Sequence, residues 1–191
     1  MIIIITGASH VGKTVLAQRL LERLHFPYLS VDHLKMGLIR SGNTMLTPED
    51  DDELTEYLWP IEREIIKTAV ENRQNLIVEG CYVPFDWRAD FTEEYLSDIR
   101  YIALAMTDDY IDANFGAIRD HRSDVDARLY EFDLDTELVK EANRKMIDGC
   151  RAAGEPVTLI DGDYEQTISQ VAETLAAQVA APAYCGERGT T

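Results

Sequence analysis

Apolar residues along this chain follow two different periods, and their alternation predicts the fold. Ile2, Ile3, Ile4 and Ile5 form an unbroken β-branched run, the pattern of a strand buried on both faces. Residues 15–24 then switch to helical amphipathicity with no breaker. Apolar runs at 27–31, 75–79, 99–106 and 156–160 read as four further strands. Residues 108–121, 136–153 and 164–180 carry helical spacing, the second stretch ending at Gly154 and the third rich in alanine. A further long helix is marked by its start, with Thr47 as N-cap, Pro48 at the first helical position and acids behind them. Leu54, Leu58, Ile61, Ile65 and Ala69 continue it to residue 72, with a kink expected at Pro60. Strands alternating with helices specify an α/β protein, a parallel sheet covered on both faces. Ligands of such sheets sit at the carboxyl ends of the strands.

With 191 residues, 46% of them hydrophobic, the chain can bury one substantial core. Residues 1–180 read as a single domain with a helical excursion at 32–75 and a polar, acidic, lid-like segment at 119–144. Residues 181–191 read as a frayed tail. The net charge of −17 opposes nucleic-acid and anionic-membrane partners, which need basic surface. The opening isoleucine run lacks the basic flank and the length of a signal peptide, and no stretch reaches membrane-spanning length. Cys81, Cys150 and Cys185 are few, widely spaced and odd in number, which points to a reducing, cytoplasmic setting.

Between the first strand and the first helix stand Gly7, Ala8, Ser9, His10, Val11, Gly12, Lys13 and Thr14, a full match to the phosphate-binding loop G-x-x-x-x-G-K-[S/T]. Strand, glycine-bounded loop and helix are the context this chemistry requires. The two glycines let successive backbone N–H groups turn toward phosphate oxygens, and the helix N-terminus adds partial positive charge. Lys13 can reach the β- and γ-phosphates, and the Thr14 hydroxyl can ligate the Mg²⁺ that accompanies ATP. His10 occupies a variable position of the loop and is not read as a catalyst.

The strand ends supply further candidates. Asp32, at the end of the second strand, can act as general base toward an acceptor hydroxyl or hold Mg²⁺ through water; the structural alternative is a helix N-cap. Glu79 closes the third strand, where a carboxylate organises Mg²⁺ and its waters; the alternative is a structural acceptor at a sheet edge. Lys35 and Arg40 can meet an anionic group of the acceptor, or pair with the acids at 49–53. Tyr82, Phe85 and Trp87 can line the acceptor pocket or simply pack. Arg119, Arg122 and Arg128, with Arg144 further on, can close over a transferring phosphoryl group; neighbouring aspartates make local ion pairs the competing reading.

Together these residues resemble the P-loop small-molecule kinases of the adenylate-kinase-like group, over nearly the whole chain. The resemblance implies a three-layer P-loop NTPase fold with sheet order 2-3-1-4-5, the excursion as acceptor-binding module and the lid arginines on the transferred phosphate. It also places the base of ATP near Asp161. One departure is plain: after the third strand the stretch Glu79-Gly80-Cys81-Tyr82-Val83-Pro84 lacks the arginine of adenylate kinases. The implied activity is Mg-ATP-dependent phosphorylation of a small hydroxyl- or phosphate-bearing metabolite. A non-catalytic or regulatory nucleotide-binding protein is the alternative. Of these, a GTPase-like switch lacks its Asn-Lys-x-Asp and Asp-x-x-Gly motifs in this chain.

Overall fold

The computed structural model describes residues 1–120 and 135–180. Its centre is the isoleucine run. Strand β1 (Ile2–Gly7) is buried at every position because it has a strand on each side and helices over both faces. In chain order there follow α1 (Lys13–Leu24), β2 (Tyr28–Ser30), α2 (Val31–Arg40), α3 (Asp51–Glu71) and β3 (Leu76–Glu79). A 3₁₀ turn (Trp87–Asp90) and α4 (Glu93–Ser97) lead to β4 (Ile99–Met106) and α5 (Asp108–Asp120). The described chain closes with α6 (Thr136–Ala153), β5 (Val157–Ile160) and α7 (Tyr164–Ala180). All strand pairs are parallel, in the order β2-β3-β1-β4-β5. This is the expected three-layer α/β arrangement.

Alternate residues of β1 serve two separate cores, as the two-residue period of a strand requires. Ile2 and Ile4 pack with Leu54, Leu58 and Ile66 of α3 and with Met146 and Cys150 of α6. Ile3 and Ile5 pack with Leu16 and Leu20 of α1, Ile111 of α5, and Ile168 and Leu175 of α7. One polar side chain interrupts the first core. Glu62 lies in the buried stripe of α3 between Leu58 and Ile66, fully inaccessible, and neither carboxyl oxygen has a hydrogen-bond partner among the described residues. Burial without a partner pushes its pKa up to about 8, so it is held as the neutral acid at pH 7.

Several expectations are corrected. Helix α3 begins at Asp51 rather than beside Thr47, because the Asp50 carboxylate accepts bonds from the Thr47 N–H (2.7 Å) and hydroxyl (3.0 Å) and closes a turn ahead of the helix. The helix itself, with Pro60 inside it, runs on to Glu71 as expected. Strand β2 stops at Ser30, so Asp32 stands in the first turn of α2 and not at a strand end; the N-cap is Ser30. Trp87 is wholly buried, stacked on Tyr101 with ring centroids 5.1 Å apart, and belongs to the core rather than to a pocket wall. The 3₁₀ turn and α4 have four and five residues, too short to show a period, and neither is among the predicted elements.

Candidate active site

The chain leaves β1 toward β2 but leaves β3 toward β4, on the far side of β1. Connections that part in opposite directions open a crevice at the carboxyl ends of these two neighbouring strands. The phosphate loop fills one side of it and residues 80–82 the other.

The loop is built mainly from backbone. Gly7 and Gly12 take φ values of 148° and 93°, and His10 also lies in the left-handed region at 66°. A Cβ on Gly7 would lie 2.4 Å from the Leu104 carbonyl oxygen, so the turn out of β1 admits only glycine. Lys13 opens α1 and is 9% exposed; its ammonium donates to the carbonyls of Gly7 (3.1 Å) and Ala8 (2.7 Å), spanning the loop. That arrangement holds a cation against the cradle of N–H groups where anionic oxygens would rest.

Beside it, the Thr14 hydroxyl donates to Glu79 Oε2 at 3.4 Å. Glu79 is 2% exposed and sits level with Ile5 of β1 and Ser30 of β2 in the sheet register. A hydroxyl and a carboxylate, both hard oxygen donors next to a phosphate cradle, fit Mg²⁺, which takes one or two such protein ligands together with substrate phosphates. No group of three or more His, Cys, Asp or Glu that could hold a metal ion occurs among the described residues.

The opposite wall is built from side chains of three separate elements. Lys35 of α2 pairs with Asp32 Oδ1 at 2.7 Å and donates to the Tyr82 hydroxyl at 2.8 Å. The Tyr82 hydroxyl donates in turn to Asp51 Oδ1 of α3 at 3.5 Å. Burial pushes the Tyr82 phenol far up, so it acts as a neutral donor, and burial also raises the Asp51 carboxyl. Cys81 precedes Tyr82 on this wall. Burial pushes its thiol up, and the charges acting on it are those of Lys13, Asp32, Asp51 and Lys35. Gly80 is required just before it, since a Cβ there would lie 2.7 Å from Cβ of Val31 and push α2 away from β3.

Lys13, Thr14, Glu79, Asp32, Lys35 and Tyr82 are therefore brought to one crevice, as the sequence suggests. Arg40 is not: it is the exposed last residue of α2, about 12 Å along the helix from Asp32. Arg119 is exposed at the end of α5 and pairs with Asp120 at 3.2 Å, while Arg122 and Arg128 lie outside the described residues. Arg144 pairs with Asp108 at 2.5 Å. Asp161 is exposed just after β5, and the nearby side chain that approaches the phosphate loop is that of Tyr164, the first residue of α7, whose hydroxyl oxygen is 2.0 Å from where a Cβ on Gly12 would stand.

Tyr164, Asp51 and Cys81 are the site residues that sequence reasoning missed. Asp51 is one of five consecutive acids, and nothing local distinguishes it from its neighbours. Tyr164 had a usable signal, since it follows a strand end at the site-bearing edge of the sheet.

No protein-family model matches the sequence, and no curated protein matches it. Solved structures match it in fold. Deoxyadenosine kinase from M. mycoides is 14% identical with a TM-score of 0.58, covering 93% of this chain and all of that one. A sugar kinase from a Janibacter species is 16% identical with a TM-score of 0.52, covering 91% and 93%. Shikimate kinase from Aquifex aeolicus is 15% identical with a TM-score of 0.50, covering 95% and 99%. The fold is thus the one shared by P-loop nucleotide and metabolite kinases. No helix among the described residues is long and apolar enough to cross a membrane.

Proposed function

We propose that the protein is a kinase that moves the γ-phosphoryl group of Mg-ATP to a hydroxyl of a small molecule. The observation that carries this reading is the meeting of two groups at neighbouring strand ends: Lys13 with the Thr14–Glu79 pair, and the Asp32–Lys35–Tyr82 chain, which starts just after Ser30, the register partner of Glu79, and ends just after Glu79 itself. A donor cradle and a polar acceptor wall stand side by side at one end of the sheet. That two-sided layout is what in-line phosphoryl transfer needs. The solved neighbours that share this fold are named as kinases of small molecules, which supports the class of reaction.

In this reading the loop N–H groups and Lys13 hold the β- and γ-phosphates, and Thr14 and Glu79 hold Mg²⁺, which neutralises phosphate charge when bound. Asp32 accepts the proton of the acceptor hydroxyl as its oxygen bonds to phosphorus. The bond from phosphorus to the β,γ-bridging oxygen breaks, and ADP leaves. Lys35 and Tyr82 keep the Asp32 carboxylate and the acceptor in register. Arg119, and Arg122 beyond it, are assigned to the transferring group, and the loop at Asp161 to the base. Cys81 and Cys150, both free thiols, suit a reducing cytoplasmic setting.

The test is phosphate transfer from γ-labelled ATP with Mg²⁺ across pools of hydroxyl-bearing metabolites. Label appearing in a small-molecule product is the expected result. Tight Mg-ATP binding with no transfer to any pool would show a nucleotide-binding protein without this chemistry.

A further inference from the structure

Ser30, at the end of β2, carries a hydroxyl that the fold itself does not use. It is the N-cap of α2, with extended backbone (φ −80°, ψ 119°), and a serine in that place ordinarily accepts a bond from an exposed N–H of the helix. Here the side chain makes no capping bond. Ser30 is 3% exposed, and its Oγ has no hydrogen-bond partner among the described residues. A buried hydroxyl in that condition opposes folding until a water or a ligand reaches it.

The sheet register says where that ligand would be. Ser30 of β2 is level with Glu79 of β3, and neighbouring strands lie about 4.8 Å apart. In-register residues share a face, and Tyr28 and Ile77, two positions back, both pack with α1. Thr14 of α1 meets Glu79 on that same face, its hydroxyl 3.4 Å from Oε2. That is long for an O–H···O bond, whose usual length is about 2.7–2.8 Å, so the two oxygens stand apart rather than locked together. Oxygen donors from α1, β3 and β2 thus come to one side of the sheet beside the phosphate loop.

Mg²⁺ takes one or two protein oxygens and keeps several waters. Thr14 and Glu79 supply the protein oxygens, and each water needs an acceptor for its protons. An ionised carboxylate only accepts, whereas a serine hydroxyl accepts and donates. Ser30 can therefore accept from a water of the hydrated ion and turn its own proton toward Glu79. We infer that Ser30 is a positioning residue of the Mg²⁺ site, its hydroxyl anchoring a water of the cation's shell beside Thr14 and Glu79. This rests on the kinase reading above and adds a residue of β2 to it. Only Val31 separates Ser30 from Asp32, so one short stretch of chain would fix both the cation and the proposed base.

The full chain, saturated with a non-hydrolysable ATP analogue, is titrated with Mg²⁺ by calorimetry and with Mn²⁺ by electron paramagnetic resonance. Ser30→Ala should bind either cation at least about tenfold more weakly, the usual loss when a group that orients a metal's ligand is removed. Ser30→Thr keeps the hydroxyl and should bind as the wild type does. Ser30→Val, the isostere of that variant without the hydroxyl, should match Ser30→Ala. Affinity for the analogue with the cation chelated away should be the same in every one of these proteins, which a hydroxyl that merely packs the loop would not give. Equal cation affinity in the wild type and Ser30→Ala overturns the inference and leaves the kinase reading standing. So does equal behaviour of Ser30→Thr and Ser30→Val, or a loss of analogue affinity in Ser30→Ala that persists without cation. The expected order of cation affinities, with no transfer from ATP to any acceptor, overturns the kinase reading and keeps the assignment of Ser30.

Discussion

The two walls of the crevice are made from different materials. The phosphate side is eight consecutive residues that would bind mainly through their backbone, with two glycines set by sterics and one lysine folded across them. The acceptor side gathers Asp32, Asp51 and Tyr82 from α2, α3 and the segment after β3, joined through Lys35. A backbone-built site is local and generic, because phosphates look alike in every ligand that carries them. A side-chain-built site depends on how three elements pack, and can be re-aimed by moving any of them.

That difference can be broken experimentally, and the largest effect is expected at Lys13. Lys13→Ala should lower kcat by roughly a thousandfold, measured in steady-state transfer, because charge developing on the phosphates loses its buried cation. Asp32→Asn should cost about a hundredfold in kcat with affinity for the ATP analogue unchanged by calorimetry. Equal losses of ATP affinity in both variants would mean that the two walls are one unit.

Glu62 distinguishes the walls through stability. Its folded-state pKa is raised from 4.5 to about 8, so folding is opposed as the unfolded chain ionises first. Stability should fall by about 1.4 kcal/mol per pH unit between those two values and level off above them. Glu62→Gln should remove the slope, measured by urea unfolding across the range. Since Glu62 lies on α3, which also carries Asp51, KM for the acceptor should rise with pH in the wild type more than KM for ATP. The smallest of these effects is expected at Gly12. Gly12→Ala meets the Tyr164 hydroxyl and a φ of 93°, and should weaken ATP binding about tenfold with little change in acceptor KM.

The same contrast explains what the sequence could reveal. The strand at 99–106 and the helices at 136–153 and 164–180 are long, strongly periodic segments, and the structure places them at the expected bounds. The phosphate loop is legible because its chemistry demands a fixed spacing in one stretch of chain. Asp51 and Tyr82 are 31 residues apart and meet only because α3 packs over the centre of the sheet, against β1, which no local pattern encodes. The misplaced start of α3 has a related cause. Thr47, Pro48 and Asp50 all carry helix-start chemistry, and hydrogen bonding between Thr47 and Asp50 decided which turn came first.

The place of β1 in the sheet has a consequence for how the protein is made. The strand is translated before every other element of this chain, yet it ends up in the middle, paired with β3 and β4, whose first residues come 74 and 97 positions after Ile2. Until those strands emerge from the ribosome, four isoleucines in a row have both edges open, a segment with high β-propensity and no charge. At ordinary elongation rates that exposure lasts several seconds. Helix α1, with its buried stripe of Leu16, Ala17 and Leu20, is the nearest shelter, and it covers only one face. The residue run that makes the sheet's centre so stable is therefore also the nascent chain's main aggregation hazard.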